Sequence, residues 1–223
     1  MYQHCIKRGL DIVLSLCGLI VFAPLFMLIA LWIKLDSPGP IIFGQKRVGK
    51  EKTYFNILKF RTMCSDAPHD IPTHLLCDAD AYITRSGRFL RKTSLDELPQ
   101  LINILRGEMS VVGPRPALWN QDDLVAERDK YGANSVTPGL TGWAQVNGRD
   151  ELEIDVKAKY DGEYARHITF KMDATCFIMT LINVLKQKGI VEGGTGAMVP
   201  HLQARQEELR KIEEKARDRR ESA

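Results

Sequence analysis

The chain has 223 residues, 44% of them hydrophobic, and 31 Lys/Arg against 28 Asp/Glu give a formal net charge of +3. That length suits one domain, or one domain with an anchor. The charge is uneven: Lys34 to Lys92 holds 11 Lys/Arg against 6 Asp/Glu, a pattern suited to an anionic membrane face or phosphate ligands. No recognition motif accompanies it and no aromatics interleave the basic residues, so no nucleic acid partner is expected. The five cysteines are odd in number and widely spaced, which excludes a disulfide framework and reads as a reducing compartment.

In chain order, Ile12 to Ile33 comes first, 22 residues without a charge. As a helix it is about 33 Å long, enough to cross a bilayer core. The run is too long for a cleaved leader, and no small-residue cleavage site follows it. Pro24 in its middle removes a backbone donor and predicts a kink. Lys7 and Arg8 precede the run, and Lys34, Lys46 and Arg47 follow. Positive charge at both ends assigns no orientation. A kinked span and a helix that bends at Pro24 and returns to its own side both fit.

After Asp36-Ser37-Pro38-Gly39-Pro40 the sequence becomes mixed. Ile41–Phe43 and Thr53–Leu58 predict short strands joined through Gly49-Lys50-Glu51-Lys52. Met63 to Ala81 reads as a loop rich in Asp, Pro and His. Its Cys64, His69, His74 and Cys77 suit zinc by type but miss the usual spacings. Ser86 to Lys92 predicts a short helix with Arg85, Arg88 and Arg91 near one face, either a solvated surface or one lying on headgroups.

Ser94-Leu95-Asp96-Glu97-Leu98-Pro99-Gln100 follows. Pro99 puts a helix start near Leu95 or Asp96, and Ser94 with Glu97 three residues on has the form of a capping box. Both cues set Asp96 and Glu97 in the first turn, at the positive end of the helix dipole. Acids there commonly do no more than cap; the alternative is a reaction centre. Gly107 ends this helix. Arg115 then sits between Pro114 and Pro116, held by restricted backbone and able to fork onto phosphate oxygens. Thr137 to Arg149 forms another rigid loop, whose Gln145 and Arg149 could read a polar ligand. Glu151 to Arg166 and Phe170 to Lys188 predict helices, the second with an apolar stripe through Phe177, Leu181, Val184 and Leu185. Gly193-Gly194-Thr195-Gly196 lacks the Lys-Ser/Thr of a P-loop and reads as a hinge. Gln203 to Glu221 is densely charged, an exposed helix or tail.

The ordered motifs LDSPGPIIFGQKRVG, FNILKFRTM, ITRSGRFLRKTSLDELPQLINILRGEMSVVGPRP and TPGLTGWAQVNGR, with the Asp161/Tyr164 region before ITFKMD, resemble those of the bacterial sugar transferases, small monotopic polyprenol-phosphate phosphoglycosyl transferases. The resemblance runs from about Lys7 to Ile190. It implies transfer of a sugar 1-phosphate from a UDP-sugar to a polyprenol phosphate such as undecaprenyl phosphate, releasing UMP, as the first membrane step of glycan assembly. It also implies Mg²⁺ as cofactor and a helix that enters the membrane and turns back. The family's Ser-Pro at the break is Ala23-Pro24 here, so the hydroxyl that could serve freed backbone groups is missing.

By motif, the resemblance makes Asp96 the nucleophile that carries the sugar phosphate and Glu97 its partner acid and Mg²⁺ ligand, with Asp96 also near the metal. The helix dipole is expected to keep Asp96 ionised. Arg115 is the expected phosphate clamp, with Lys59 and Arg61 for phosphate or headgroups and Gln145 and Arg149 for the nucleotide. Asp161 is a weaker metal or structural candidate. The rival readings are a single-displacement transferase whose acids only bind metal, and a non-catalytic membrane scaffold for glycan enzymes.

The expected fold is α/β, mostly helical and irregular: an N-terminal re-entrant membrane helix-break-helix, amphipathic interfacial helices and a small β-sheet. Residues 1–36 would form the anchor, 37–191 the catalytic domain, and 192–223 the Gly-rich hinge and charged C-terminal helix or tail. Membrane lipids, a homodimer and downstream glycosyltransferases complete the expected partners. The expected location is the cytoplasmic face of a bacterial inner membrane.

Overall fold

The computed structural model describes residues 2–67, 79–148 and 152–185. The Gly-rich hinge and charged tail of 192–223, Arg149, most of the Met63–Ala81 loop with His69, His74 and Cys77, and the end of the helix expected to reach Lys188 lie outside the described residues. The described part is mostly helical, with two small sheets and one long apolar helix at its start.

That helix, α1, spans Lys7–Asp36 after a π-helical turn at Tyr2–Ile6. Pro24 lies inside α1 and does not end it. By length and composition α1 could cross a membrane. Much of its surface is apolar and open, with Val13, Ile20, Val21, Met27, Leu28 and Leu35 all exposed. An apolar helix left this bare needs a non-aqueous neighbour.

Its two ends are fastened to the same body. Near the start, Lys7 Nζ bonds Asp173 Oδ2 at 2.7 Å and the Val112 carbonyl at 2.9 Å, and Arg8 donates to the carbonyls of Ile104 and Leu105. Asp11, buried on α1, accepts from Val111 N at 2.9 Å. At the far end Ile29 and Ile33 join Phe60 and Leu90 in a buried cluster. Asp36 accepts from both N and Oγ of Ser86 at 2.9 and 2.8 Å. Arg61, buried at the end of the second strand, donates to the carbonyls of Ser37 and Pro38, closing the junction where α1 stops.

β1 (Ile42–Val48) and β2 (Tyr54–Phe60) form an antiparallel hairpin with Phe43 opposite Lys59. The predicted strands overlap these, each beginning one residue earlier, at Ile41 and Thr53; pairing recruits Gly44 to Val48, whose polar members gave no strand signal, and extends the second strand to Phe60. α2 (Ala79–Tyr82) leads into α3 (Arg85–Thr93), where Thr84 Oγ1 accepts from Gly87 N as the cap. Leu90 on α3 is fully buried, while Phe89 stays half exposed with its ring 5.4 Å from that of Trp32. A 3₁₀ turn at Leu95–Glu97 precedes α4 (Gln100–Arg106), which ends on Gly107 at φ 84°.

β3 (Ser110–Val112) pairs in parallel with β4 (Gly139–Thr141), joining a stretch that gave no strand signal to one the sequence predicted as a loop. The approach is close: a Cβ on Gly139 would lie 2.0 Å from Gly113 N. Between them α5 (Asp122–Asp129) forms without an apolar stripe to announce it. α6 (Trp143–Asn147), α7 (Ile154–Arg166) and α8 (Phe170–Leu185) follow. Tyr164 on α7 is buried, its hydroxyl 2.7 Å from Asp173 Oδ1 and 3.0 Å from the Val112 carbonyl. Asp173 thus ties α7, α8 and the start of α1 together.

Candidate active site

Three segments distant in sequence meet around the acid pair. β2 supplies Lys59. The turn between α3 and α4 supplies Asp96 and Glu97. The proline-bracketed loop after β3 supplies Arg115. Glu97 Oε1 accepts from Lys59 Nζ at 2.8 Å and from Arg115 NH2 at 2.7 Å. Lys59 Nζ also stands 3.9 Å from Asp96 Oδ2. Among the described residues nothing hydrogen-bonds the Asp96 carboxylate, although the residue is only 8% exposed.

The local backbone differs from the predicted capping box. Ser94 closes α3 in the left-handed region, at φ 57° and ψ 17°, and its side chain caps nothing. A non-glycine residue there stores strain. Glu97 does not fold back on Ser94; its carboxylate is taken by the two cations.

The pair is electrostatically split. Burial raises the Asp96 carboxyl above the ordinary range; Lys59, Arg91 and Arg115 oppose the rise and Glu97 reinforces it. Burial pushes Glu97 up too, but Arg115 and Lys59 outweigh it and hold that carboxyl well below the ordinary range. The downward pull expected of a helix dipole on Asp96 is not found: α4 begins only at Gln100, and lost hydration outweighs the local charges, so the carboxyl shifts upward. Two adjacent acids pushed in opposite directions can take different roles.

Arg91 was placed by sequence on a solvated or headgroup-facing surface. It instead turns inward, its Nε donating to Thr62 Oγ1 at 2.9 Å, and acts electrostatically on Asp96. Its position six residues before Glu97 gave no signal, because the turn at Ser94 is what folds α3 back over the acids. Arg61 serves the α1 junction. Gln145 Nε2 donates to the Leu140 carbonyl at 3.0 Å, bracing its own loop. Asp161 does not join the acids. Its Oδ2 accepts from Arg128 Nε and NH2 at 2.9 and 2.6 Å, both residues being buried. Arg128 NH2 also donates to the Arg115 carbonyl at 2.9 Å, so this pair braces the loop that carries Arg115.

Among the described residues no three His, Cys, Asp or Glu side chains gather into a metal cage. Mg²⁺ is commonly held by one or two carboxylates with substrate phosphates and water. Among the described residues nothing hydrogen-bonds the Asp96 carboxylate and Glu97 takes its cations through Oε1, so the acid pair fits such a donor set. Asp161, buried against Arg128 and not gathered with the acids, does not.

Comparison with known proteins gives one family. The family model described as bacterial sugar transferase matches residues 2–187. The chain is 41% identical over 185 residues to an undecaprenyl-phosphate glucose phosphotransferase of Komagataeibacter xylinus, covering 78% of this chain and 35% of that protein. It is 39% identical over 192 residues to a UDP-glucose:undecaprenyl-phosphate glucose-1-phosphate transferase of Escherichia coli K12, covering 80% and 40%. It is 34% identical over 197 residues to the exopolysaccharide production protein ExoY of Rhizobium meliloti, covering 82% and 87%. The chain thus spans less than half of the first two relatives and most of the third.

Proposed function

The chain belongs to the bacterial sugar transferase family, and on that footing we propose that it transfers a sugar 1-phosphate from a UDP-sugar to polyprenol phosphate at a membrane surface. The observation that carries the reading is the division of labour in the acid pair: Glu97 is held by Lys59 and Arg115, while no described residue hydrogen-bonds the Asp96 carboxylate beside it.

In the first step an Asp96 carboxylate oxygen attacks the phosphorus that bears the sugar. The bond from that phosphorus to the bridging oxygen breaks, and UMP leaves with the oxygen. In the second step a polyprenol phosphate oxygen attacks the same phosphorus. The bond to Asp96 breaks, the carboxylate is restored, and polyprenol-diphosphate sugar departs. Phosphoryl transfer demands alignment and charge neutralisation more than a strong base. The raised proton affinity of Asp96 makes it a better nucleophile once ionised. Lys59, Arg91 and Arg115 supply positive charge around the phosphates. Mg²⁺, held by Glu97 and Asp96 with phosphate oxygens, would further neutralise the diphosphate.

The anchor reading is a re-entrant α1 on the cytoplasmic face of the inner membrane. Lys7, Arg8 and Asp11 at one end and Asp36 at the other all bond the same body. That favours a helix which enters and leaves by one face over one which crosses. Residues 1–36 then serve as anchor and 37–191 as catalytic domain.

The test is to incubate purified full-length protein with Mg²⁺ and labelled UDP-glucose or UDP-N-acetylgalactosamine, without lipid. A sugar-phosphate adduct on Asp96 by mass spectrometry, discharged by added undecaprenyl phosphate and absent in Asp96→Asn, is the expected result. Full turnover with a bare Asp96, or with Asp96→Asn, would refute the two-step route.

A further inference from the structure

Gln100 is the first residue of α4, directly after Pro99. Its side chain is completely buried, and among the described residues neither Nε2 nor Oε1 has a hydrogen-bond partner. Asn103, equally buried, shows how a structural amide is treated in the same helix. Its Oδ1 accepts from Leu58 N at 2.9 Å, and its Nδ2 donates to the Asn56 carbonyl at 2.8 Å and to Glu108 at 2.7 Å. An orphaned amide suffers the full loss of hydration with nothing returned, so a leucine or methionine of similar size would sit there more comfortably. A buried polar group left in that state calls for an explanation.

Its place in the helix supplies one. The hydrogen bonds Leu101 N to Leu98 O and Ile102 N to Pro99 O close tight i→i−3 turns. Residues three apart therefore stack on one side, and Glu97, Gln100 and Asn103 form such a row. Both outer members are fastened to β2, Glu97 through Lys59 and Asn103 through Leu58 and Asn56. On that row Gln100 lies between the two attachments, three residues after Glu97. Glu97 meanwhile depends for alignment on the two cations nearest the incoming diphosphate.

We propose that Gln100 is a positioning residue for the acid pair: when the donor diphosphate draws Lys59 and Arg115 onto its own oxygens, the Gln100 carboxamide donates to Glu97 in their place and keeps it aligned beside Asp96. In the resting protein Lys59 and Arg115 fix the Glu97 carboxylate through Oε1; once they release it, the carboxylate is free to turn to the Gln100 amide. This rests on the transferase reading above. It adds that α4 holds a spare donor for the moment when the cations change partners.

The experiment compares Gln100→Met and Gln100→Leu with the parent full-length protein in lipid nanodiscs. UMP release is followed with undecaprenyl phosphate and whichever of UDP-glucose and UDP-N-acetylgalactosamine the parent turns over, alongside thermal unfolding without substrate. Both variants are expected to be at least as stable as the parent, while kcat falls about ten-fold or more and donor KM changes far less. A purely structural amide would give the opposite: lower Tm, with activity following the folded fraction. The inference is overturned by a Tm drop in both variants, by failure of both to fold, by kcat within about two-fold of the parent, or by a KM rise matching the loss in kcat/KM. A parent silent with both donors counts against the transferase reading instead. The stability comparison still decides the premise in that case, because variants less stable than the parent would mean the amide is not orphaned at rest.

Discussion

Removing one member of the Arg128–Asp161 pair is expected to unbalance both the core and the site. Arg128 is 4% exposed and Asp161 1% exposed, and one carboxylate oxygen receives two guanidinium donors. Asp161→Leu leaves a buried guanidinium without its counter-charge. Such a loss costs about 3–5 kcal/mol, whereas exchanging both charges for apolar groups of similar volume is often neutral or better. At about 2–4 °C per kcal/mol for a chain of this size, the single variant should melt about 6–20 °C lower. Arg128→Met should fall by a similar amount, and Arg128→Met/Asp161→Leu should recover most of the loss. Activity should not recover with it, because the Arg115 carbonyl has still lost the donor that sets its loop. Thermal unfolding in nanodiscs, paired with UMP release across a Mg²⁺ titration, measures each term. Singles that lose less than about 1 kcal/mol, or a double variant no better than the worse single, would refute the reasoning. A raised Mg²⁺ requirement at unchanged Tm in Asp161→Leu would return Asp161 to the metal.

Three further outcomes are expected. The Asp36 carboxyl is held below its ordinary range by the hydrogen bonds from Ser86. A depressed folded pKa lends stability above the unfolded value and loses it as pH falls through the folded one. The Tm gap between the parent and Asp36→Ala should therefore narrow on acidification, and a gap independent of pH would rule the carboxylate out as its source. Gly87→Ala would set a Cβ 2.0 Å from the Thr62 carbonyl oxygen. The backbone there cannot yield cheaply, so chemical denaturation should show a loss of about 1–3 kcal/mol; an unchanged midpoint would contradict it. Chelation with EDTA should stop UMP release, reversibly on adding Mg²⁺, while leaving Tm unchanged, because Lys59 and Arg115 already satisfy Glu97 without metal. Continued turnover in EDTA would remove Mg²⁺ from the proposal.

Much of this was legible wherever the signal is local. The uncharged run from Ile12 to Ile33 announces α1 by composition. The hairpin shows in two stretches rich in β-branched and aromatic residues with a polar turn between them. β3 and β4 were not legible. Each is three residues long, each is set among Gly and Pro that read as loop, and the pairing is parallel, so no hairpin turn marks it. α5 was missed because its face carries little apolar periodicity. Asp161 was singled out, but its partner lies 33 residues earlier on a helix that sequence did not reveal.

The sequence by itself determined the long apolar helix and the basic stretch after it, which follow from residue type and near spacing, as a linear chain displays them. The candidate roles of Asp96, Glu97 and Lys59 came instead from the ordered motifs and the family they resemble, and that of Arg115 from both. Only the tertiary structure decided which cations hold which acid, since Lys59 and Arg115 reach Glu97 from 38 and 18 residues away. It also turned the expected downward pull on the Asp96 carboxyl into an upward one, and among the described residues it left the Gln100 amide without a hydrogen bond. Burial and distant charge set both, and neither exists until the chain has closed around them.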